Sequence, residues 1–337
     1  MSATNFNFFK VLDKDNKELV HSAFLKYLMQ YDDTFYTKFL KVDFTFSEPK
    51  LEKLYTLAKK VKGRFDIEVT SEDNSTLLVI ENKFKSFPYE NQVLLYDKII
   101  SEYHKEKTAI KLLICFDKRF AGNYPGWLMR DYSDLLSFLK EYYPMDNRDD
   151  HSVFIRHYYN ALSDYYQEYR RLQPDFRELL LNRCGEANNF WLRLFYSALK
   201  IRLESYMDDK GLEAVVYVNS GNTTVPLLDF IPKDWNIKGN KLLIQLQGND
   251  IKFYSHSTNQ SFLSDLKRFS QDQFSHLSYE YKKETKRQSN TQYILKAKLL
   301  SDSKAMNVNY LFDRFLEFYS TLNEKVIQKY ETIIPLM

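Results

Sequence analysis

The chain is poor in the residues that punctuate or staple a fold. Of 337 residues only 8 are Gly, 8 are Pro and 2 are Cys. So little Gly and Pro excludes collagen-like and low-complexity linker architectures. Two cysteines, Cys115 and Cys184, cannot build a disulfide framework or a cysteine-based zinc site, and they read as buried small apolar residues in a reducing cytoplasm. No stretch approaches the roughly 18 apolar residues of a membrane helix. The opening Met-Ser-Ala-Thr-Asn-Phe-Asn-Phe-Phe-Lys lacks the basic start and apolar block of a secretory signal. The 6 histidines never fall at ligand spacing. Missing too are a Gly-x-x-x-x-Gly-Lys-Ser/Thr loop, a dinucleotide fingerprint, His-Glu-x-x-His and Gly-x-Ser-x-Gly, which removes the main support for NTPase, dehydrogenase, zinc-peptidase and serine-hydrolase activities.

What is present is a globular composition, 44% hydrophobic and 28% charged, with enough apolar material for a core. The net charge of +3 by itself selects no partner. Residues 1–150 hold 23 Lys and Arg against 24 Asp and Glu, and the remainder 25 against 21, so the basic surplus lies downstream. The 26 Tyr and 26 Phe read mostly as half-buried packing residues.

Helical spacing of Val20, Phe24, Tyr27, Leu28 and Tyr31 predicts a helix over 17–31, with Asp15 and Glu18 as its capping box. Residues 42–46 look strand-like and 49–60 look like a short helix. Two extended runs, 64–70 and 76–83, joined by Ser71-Glu72-Asp73-Asn74-Ser75, predict a hairpin. A helix over 89–103 and a fully apolar strand, Leu112–Phe116, complete an α/β core by about residue 120. Helices are expected near 133–143, 152–172 and 188–207, then strands from Leu212 onward, a helix near 261–271, a strand at 292–299 and a closing helix. This divides the chain into a core (1–130), a helical extension packed on it (131–210) and an α+β accessory domain (211–337), with the last boundary at Asp208-Asp209-Lys210-Gly211.

The hairpin carries the chemistry. A turn centred between Asp73 and Asn74 sets Asp66 opposite Glu81, and Lys83, two residues on, shares their face. Leu78 and Ile80 fill the other face. Directly opposed carboxylates repel unless a cation lies between them. An all-oxygen set of Asp66, Glu81 and the Asn82 backbone carbonyl suits Mg²⁺ or Mn²⁺ rather than zinc. Lys83 beside such an ion is placed to orient or deprotonate a metal-activated water and to offset charge on a phosphoryl oxygen. Glu-x-Lys occurs four times in the chain, but only at Glu81 does it end an apolar strand with an aspartate across a hairpin. The plain alternative is a surface ion-pair cluster at a sheet edge.

Arg64-Phe65-Asp66-Ile67 followed by Glu81-Asn82-Lys83 resembles the PD-(D/E)xK nuclease superfamily. Leu78-Val79-Ile80-Glu81-Asn82-Lys83, Glu90-Asn91-Gln92, Tyr96 and the upstream run from Glu18 to Leu25 resemble its restriction-endonuclease-like branch in bacterial proteins. The likeness covers about residues 15–117. It implies an α-β-β-β-α-β mixed sheet flanked by helices, here followed by a helical segment and a C-terminal α+β unit, and metal-dependent hydrolysis of phosphodiester bonds. On this resemblance Asp66 and Glu81 match the metal-binding acids, Lys83 the catalytic lysine, Glu18 the acid of the first helix, expected to bind the metal or a metal-bound water, and Gln92 a glutamine after the hairpin. Phe65 replaces the proline of the motif's name. Defence against foreign DNA and repair are both open as settings.

Nucleic acid is the expected partner, DNA rather than RNA, with no membrane involved and a homodimer or separate protein partner left open. Cations for its phosphates are Lys59, Lys60, Lys62 and Arg64, leading into the hairpin, Lys85 at the rim, and Lys282, Lys283, Lys286 and Arg287 downstream. The rival reading from a different class is an inactive nuclease-fold module that holds nucleic acid or a protein.

Overall fold

Four consecutive apolar residues, Leu77-Leu78-Val79-Ile80, need cover on both sides, and all four are buried in the middle of a sheet. The computed structural model describes residues 6–12, 17–42, 45–57, 61–84, 90–120, 124–172, 186–219, 226–237, 239–255, 257, 259–274, 292–298 and 308–328. The chain packs as two units, Met1–Tyr169 and Arg170–Met337.

In the first unit helix α1 (Glu18–Tyr31) precedes strands β1 (Lys50–Thr56), β2 (Lys62–Thr70) and β3 (Thr76–Lys83). Helix α2 (Glu90–Tyr103) then leads to β4 (Thr108–Cys115) and β5 (Leu128–Asp131), followed by α3 (Tyr132–Tyr142) and α4 (Asp150–Leu172). The strands lie in the order β1-β2-β3-β4-β5, with the first three antiparallel and β4 and β5 added in parallel. This is an α/β, restriction-endonuclease-like mixed sheet. The crossover through α2 is what parallel pairing of β3 and β4 requires. Val93, Tyr96, Ile99 and Ile100 of α2 pack on Phe65, Leu77, Val79 and Leu113. Helix α1 lies against β1, β2 and β3.

Gly63 permits the close approach of α2. A Cβ there would sit 2.3 Å from Ile99 Cδ1, whose side chain is itself fully buried. Gly63→Ala is therefore expected to destabilise the protein by about 1–3 kcal/mol, read as a lower urea midpoint. An unchanged midpoint would mean that Ile99 finds another rotamer at no cost.

Several expectations are corrected. Residues 50–56 form β1, not a helix, because pairing with β2 and the bonds of Lys53 and Tyr55 to buried Glu68 outweigh the helix propensity of Leu, Glu and Lys. Helix α1 starts at Glu18 with Lys17 as N-cap and no side-chain cap, so Glu18 is not the third residue of a capping box; Asp15 lies outside the described residues. Strand β5, which the sequence reading lacks, extends the sheet beyond residue 120. Of 42–46, Phe46 makes an isolated bridge to Ser71, and residues 43–44 lie outside the described residues.

The second unit contains helix α5 (Glu186–Lys210) and strands β6 (Ala214–Asn219), β7 (Leu227–Pro232), β8 (Asn240–Gln247) and β9 (Asp250–Ser255). Helix α6 (Gln260–Phe274), strand β10 (Gln292–Lys298) and helix α7 (Val308–Leu322) complete it. Its sheet runs β10-β9-β8-β7-β6, antiparallel throughout. Helix α5 packs on β6, β7 and α7. Packing divides the chain after Tyr169, whereas the sequence reading placed residues 186–210 in a helical extension of the core and drew its boundary at 208–211. Sequence proximity to the turn at Gly211 hid that α5 covers the second sheet. Cys115 is buried, as expected, and Cys184 lies outside the described residues. Among the described residues no helix is long and apolar enough to cross a membrane.

Candidate active site

The turn fixes the hairpin's register. Asp73 accepts hydrogen bonds from the Ser71 and Ser75 hydroxyls and the Ser75 N–H, and Asn74 takes a positive φ of 63°. Pairing then runs from Thr70↔Leu77 to Ile67↔Ile80, so Asp66 and Glu81 come next, where the ladder stops. There the Asn82 N–H donates to Asp66 Oδ2 at 2.7 Å. The pleat is broken at the same place. Strict alternation would put Phe65 and Glu68 on opposite faces, yet Phe65 packs on Tyr96 of α2 and Glu68 bonds Tyr55, which contacts His104 just past that helix. Glu52, which lies between the β1 partners of Phe65 and Ile67, has φ 51°.

One cleft, about 510 Å³ in volume, is lined by Glu18, Lys62, Gly63, Arg64, Asp66, Glu81, Lys83, Gln92, Leu95 and Tyr96. Four elements contribute. Glu18 comes from the first turn of α1, Lys62 to Asp66 from β2, Glu81 and Lys83 from the end of β3, and Gln92 and Tyr96 from one face of α2. Glu81 is 1% exposed. Its Oε1 pairs with Lys83 Nζ at 2.6 Å and accepts from Gln92 Nε2 at 2.7 Å, whereas its Oε2 is buried with no hydrogen-bond partner. Gln92 Nε2 also donates to the Tyr96 hydroxyl at 2.7 Å, and Tyr96 donates to the Arg64 carbonyl at 2.9 Å. The helix is thereby tied to the strand that carries Asp66.

Electrostatically the cleft holds too much negative charge for its dryness. Burial, reinforced by Asp66, pushes the Glu81 carboxyl up to about 7. Burial also raises Asp66, against the pull of Lys83 and the Asn82 N–H. Burial alone would lower Lys83, but Glu81, Asp66 and Glu18 outweigh it and hold the ammonium above its ordinary value. Two carboxylates that each resist ionisation, facing a single ammonium, are relieved by added positive charge.

The donor chemistry fits a hard divalent cation. Glu81 Oε2 is an orphaned buried oxygen, and Asp66 lies across from it. The N–H and C=O of one strand residue point to the same edge. Since the Asn82 N–H points at Asp66, its carbonyl faces the same side, where β2–β3 pairing has ended. Among the described residues no three His, Cys, Asp or Glu side chains converge as a metal-holding group. Glu18 therefore lines the cleft without joining Asp66 and Glu81 in a three-carboxylate cluster.

Asp66, Glu81, Lys83, Glu18 and Gln92 thus come together in one cleft, with Lys62 and Arg64 at its edge. Exposed Arg64 is paired with half-buried Glu52 at 3.1 Å. Lys59, Lys60, Lys85, Lys282, Lys283, Lys286 and Arg287 lie outside the described residues. His21 is 2% exposed and stacked on Phe84. Sequence reasoning missed Gly63, whose signal was only its place beside the hairpin, and Tyr132, which has no local signal and bonds Asn82 from fifty residues away.

A family profile described as the PD-(D/E)XK nuclease superfamily matches residues 48–160, from the start of β1 into α4. The match includes Asp66, Glu81, Lys83 and Gln92 and leaves Glu18 outside it. No curated protein matches the chain, and no solved structure does.

Proposed function

Because residues 48–160 belong to the PD-(D/E)XK nuclease superfamily, we propose that this chain is a Mg²⁺- or Mn²⁺-dependent nuclease that hydrolyses phosphodiester bonds of DNA. The observation that carries the reading is Glu81: a buried carboxylate with an orphaned oxygen, an aspartate opposite and a lysine bound to it. Purely structural ion pairs seldom leave a buried carboxylate oxygen without a partner.

Asp66, Glu81 and the Asn82 carbonyl would hold the cation. When bound, it acidifies a water and offsets charge developing on the phosphoryl group. Lys83, raised above its ordinary value, stays protonated at neutral pH and acts as a fixed positive donor to the attacking water or a non-bridging phosphate oxygen. Gln92 holds Glu81 in place through its amide N–H. Lys62 and Arg64 position the phosphate backbone. Arg64 gives up only a surface ion pair with Glu52, so its recruitment costs little.

The test is a cleavage assay on circular, linear and single-stranded DNA and on RNA, with Mg²⁺, Mn²⁺ or EDTA. Cutting of DNA that needs the cation is the expected result. Folded protein that cuts no substrate and gains no melting temperature from Mn²⁺ would overturn the reading in favour of a binding module, whose affinity should fall with salt and need no metal.

A further inference from the structure

Asn82 sits between Glu81 and Lys83, yet its side chain points away from both, to the α1 side of the sheet. There it is fully buried and fully used. Its Nδ2 donates to Ser22 Oγ at 2.9 Å and to the Glu18 carbonyl at 3.3 Å, and its Oδ1 accepts from the Tyr132 hydroxyl at 2.5 Å. Ser22 donates in turn to the Glu18 carbonyl at 3.1 Å. Tyr132 is 0% exposed and packs edge-on against Phe84 and His21. It opens α3, whose capping box between Asp131 and Asp134 fixes that first turn. Of its backbone groups, the Asn82 N–H is bonded to Asp66.

We propose that Tyr132 and Ser22 are positioning residues for the cation site: they clamp the Asn82 amide from two helices and so fix the Glu81-Asn82-Lys83 peptides whose carbonyl completes the donor set. The same clamp holds the Glu18 carbonyl and thus sets where the Glu18 side chain enters the cleft. The inference rests on the nuclease reading above. A planar amide held at both ends cannot rotate, and the peptides flanking its Cα cannot tilt without breaking one of these buried bonds. Without the Tyr132 hydroxyl, Oδ1 loses its donor and the strand end is free to shift while the carboxylates themselves remain.

The test uses the full chain and three variants: Tyr132→Phe, Ser22→Ala, and Tyr169→Phe as a control. Tyr169 is a buried tyrosine of the same unit whose hydroxyl bonds Asp117, outside the cleft. Mn²⁺ affinity is measured by calorimetry, melting temperature in EDTA, and kcat and KM on DNA. In Tyr132→Phe, Mn²⁺ affinity should weaken by about 10-fold or more, with kcat falling in step and KM for DNA unchanged. Tyr169→Phe should lose melting temperature and keep its Mn²⁺ affinity. Wild-type Mn²⁺ affinity in Tyr132→Phe overturns the clamp, as does equal weakening in the Tyr169 control. If Tyr132→Phe does not fold, Ser22→Ala decides by the same Mn²⁺ measurement. Wild type that neither binds Mn²⁺ nor cuts DNA removes the nuclease reading and the clamp with it, a result distinct from a Tyr132 variant that behaves as wild type.

Discussion

Lys83→Ala is expected to lower the rate of DNA cleavage by about 10²–10⁴-fold at saturating Mg²⁺, with the fold retained. Among the described residues Lys83 is the one cation bonded to the buried Glu81 carboxylate, and it also faces Asp66 and Glu18. Its side chain is largely buried in the cleft, whereas those of Lys62 and Arg64, which also line it, are exposed. The near-isosteric Asp66→Asn and Glu81→Gln should fail comparably, through lost cation affinity instead of a lost donor. Single-turnover rates with circular dichroism on each variant check this. Lys83→Ala cutting within threefold of wild type would remove Lys83 from the reaction.

The second large effect is on stability without metal. Glu81 ionises at about 7 in the folded protein against an ordinary 4.5, because burial and Asp66 oppose its charge. A raised acid means that the folded state holds the proton more tightly than the unfolded chain. Its contribution is therefore complete below about 4.5 and is lost as pH climbs through about 7, and the shift corresponds to on the order of 3 kcal/mol. Asp66, raised as well, acts in the same direction. Melting in EDTA should accordingly drop from pH 5 to pH 8, and Glu81→Gln should flatten most of that slope. Mn²⁺ should add more melting temperature at pH 8 than at pH 5.5, since protons compete with it for the carboxylates. A pH-independent Mn²⁺ gain would mean that the ion binds elsewhere.

Much of the site was legible because β structure is local where it matters here. A five-residue turn and a period of two are enough to set the register, which runs as expected up to Ile67↔Ile80, the pair before Asp66 and Glu81. The apolar run before Glu81 announced a buried strand, and helical spacing placed Gln92 and Tyr96 on one face of α2. Residues 50–56 were misread because an edge strand half open to solvent carries the same Leu, Lys and Glu as an amphipathic helix. Only the partner strand distinguishes them.

By itself, then, the sequence determined the hairpin and its register up to Ile67↔Ile80, the acids and lysine just beyond it, and the likeness to the nuclease profile that matches residues 48–160. These depend on neighbours in the chain and on alternation. Tertiary structure decided how far each acid is buried, that Glu81 Oε2 has no partner, that Gly63 lets α2 descend to the cleft and that Tyr132 reaches Asn82. Those facts depend on which helices cover which face of the sheet, and burial is a property of the whole packed unit that no local pattern encodes.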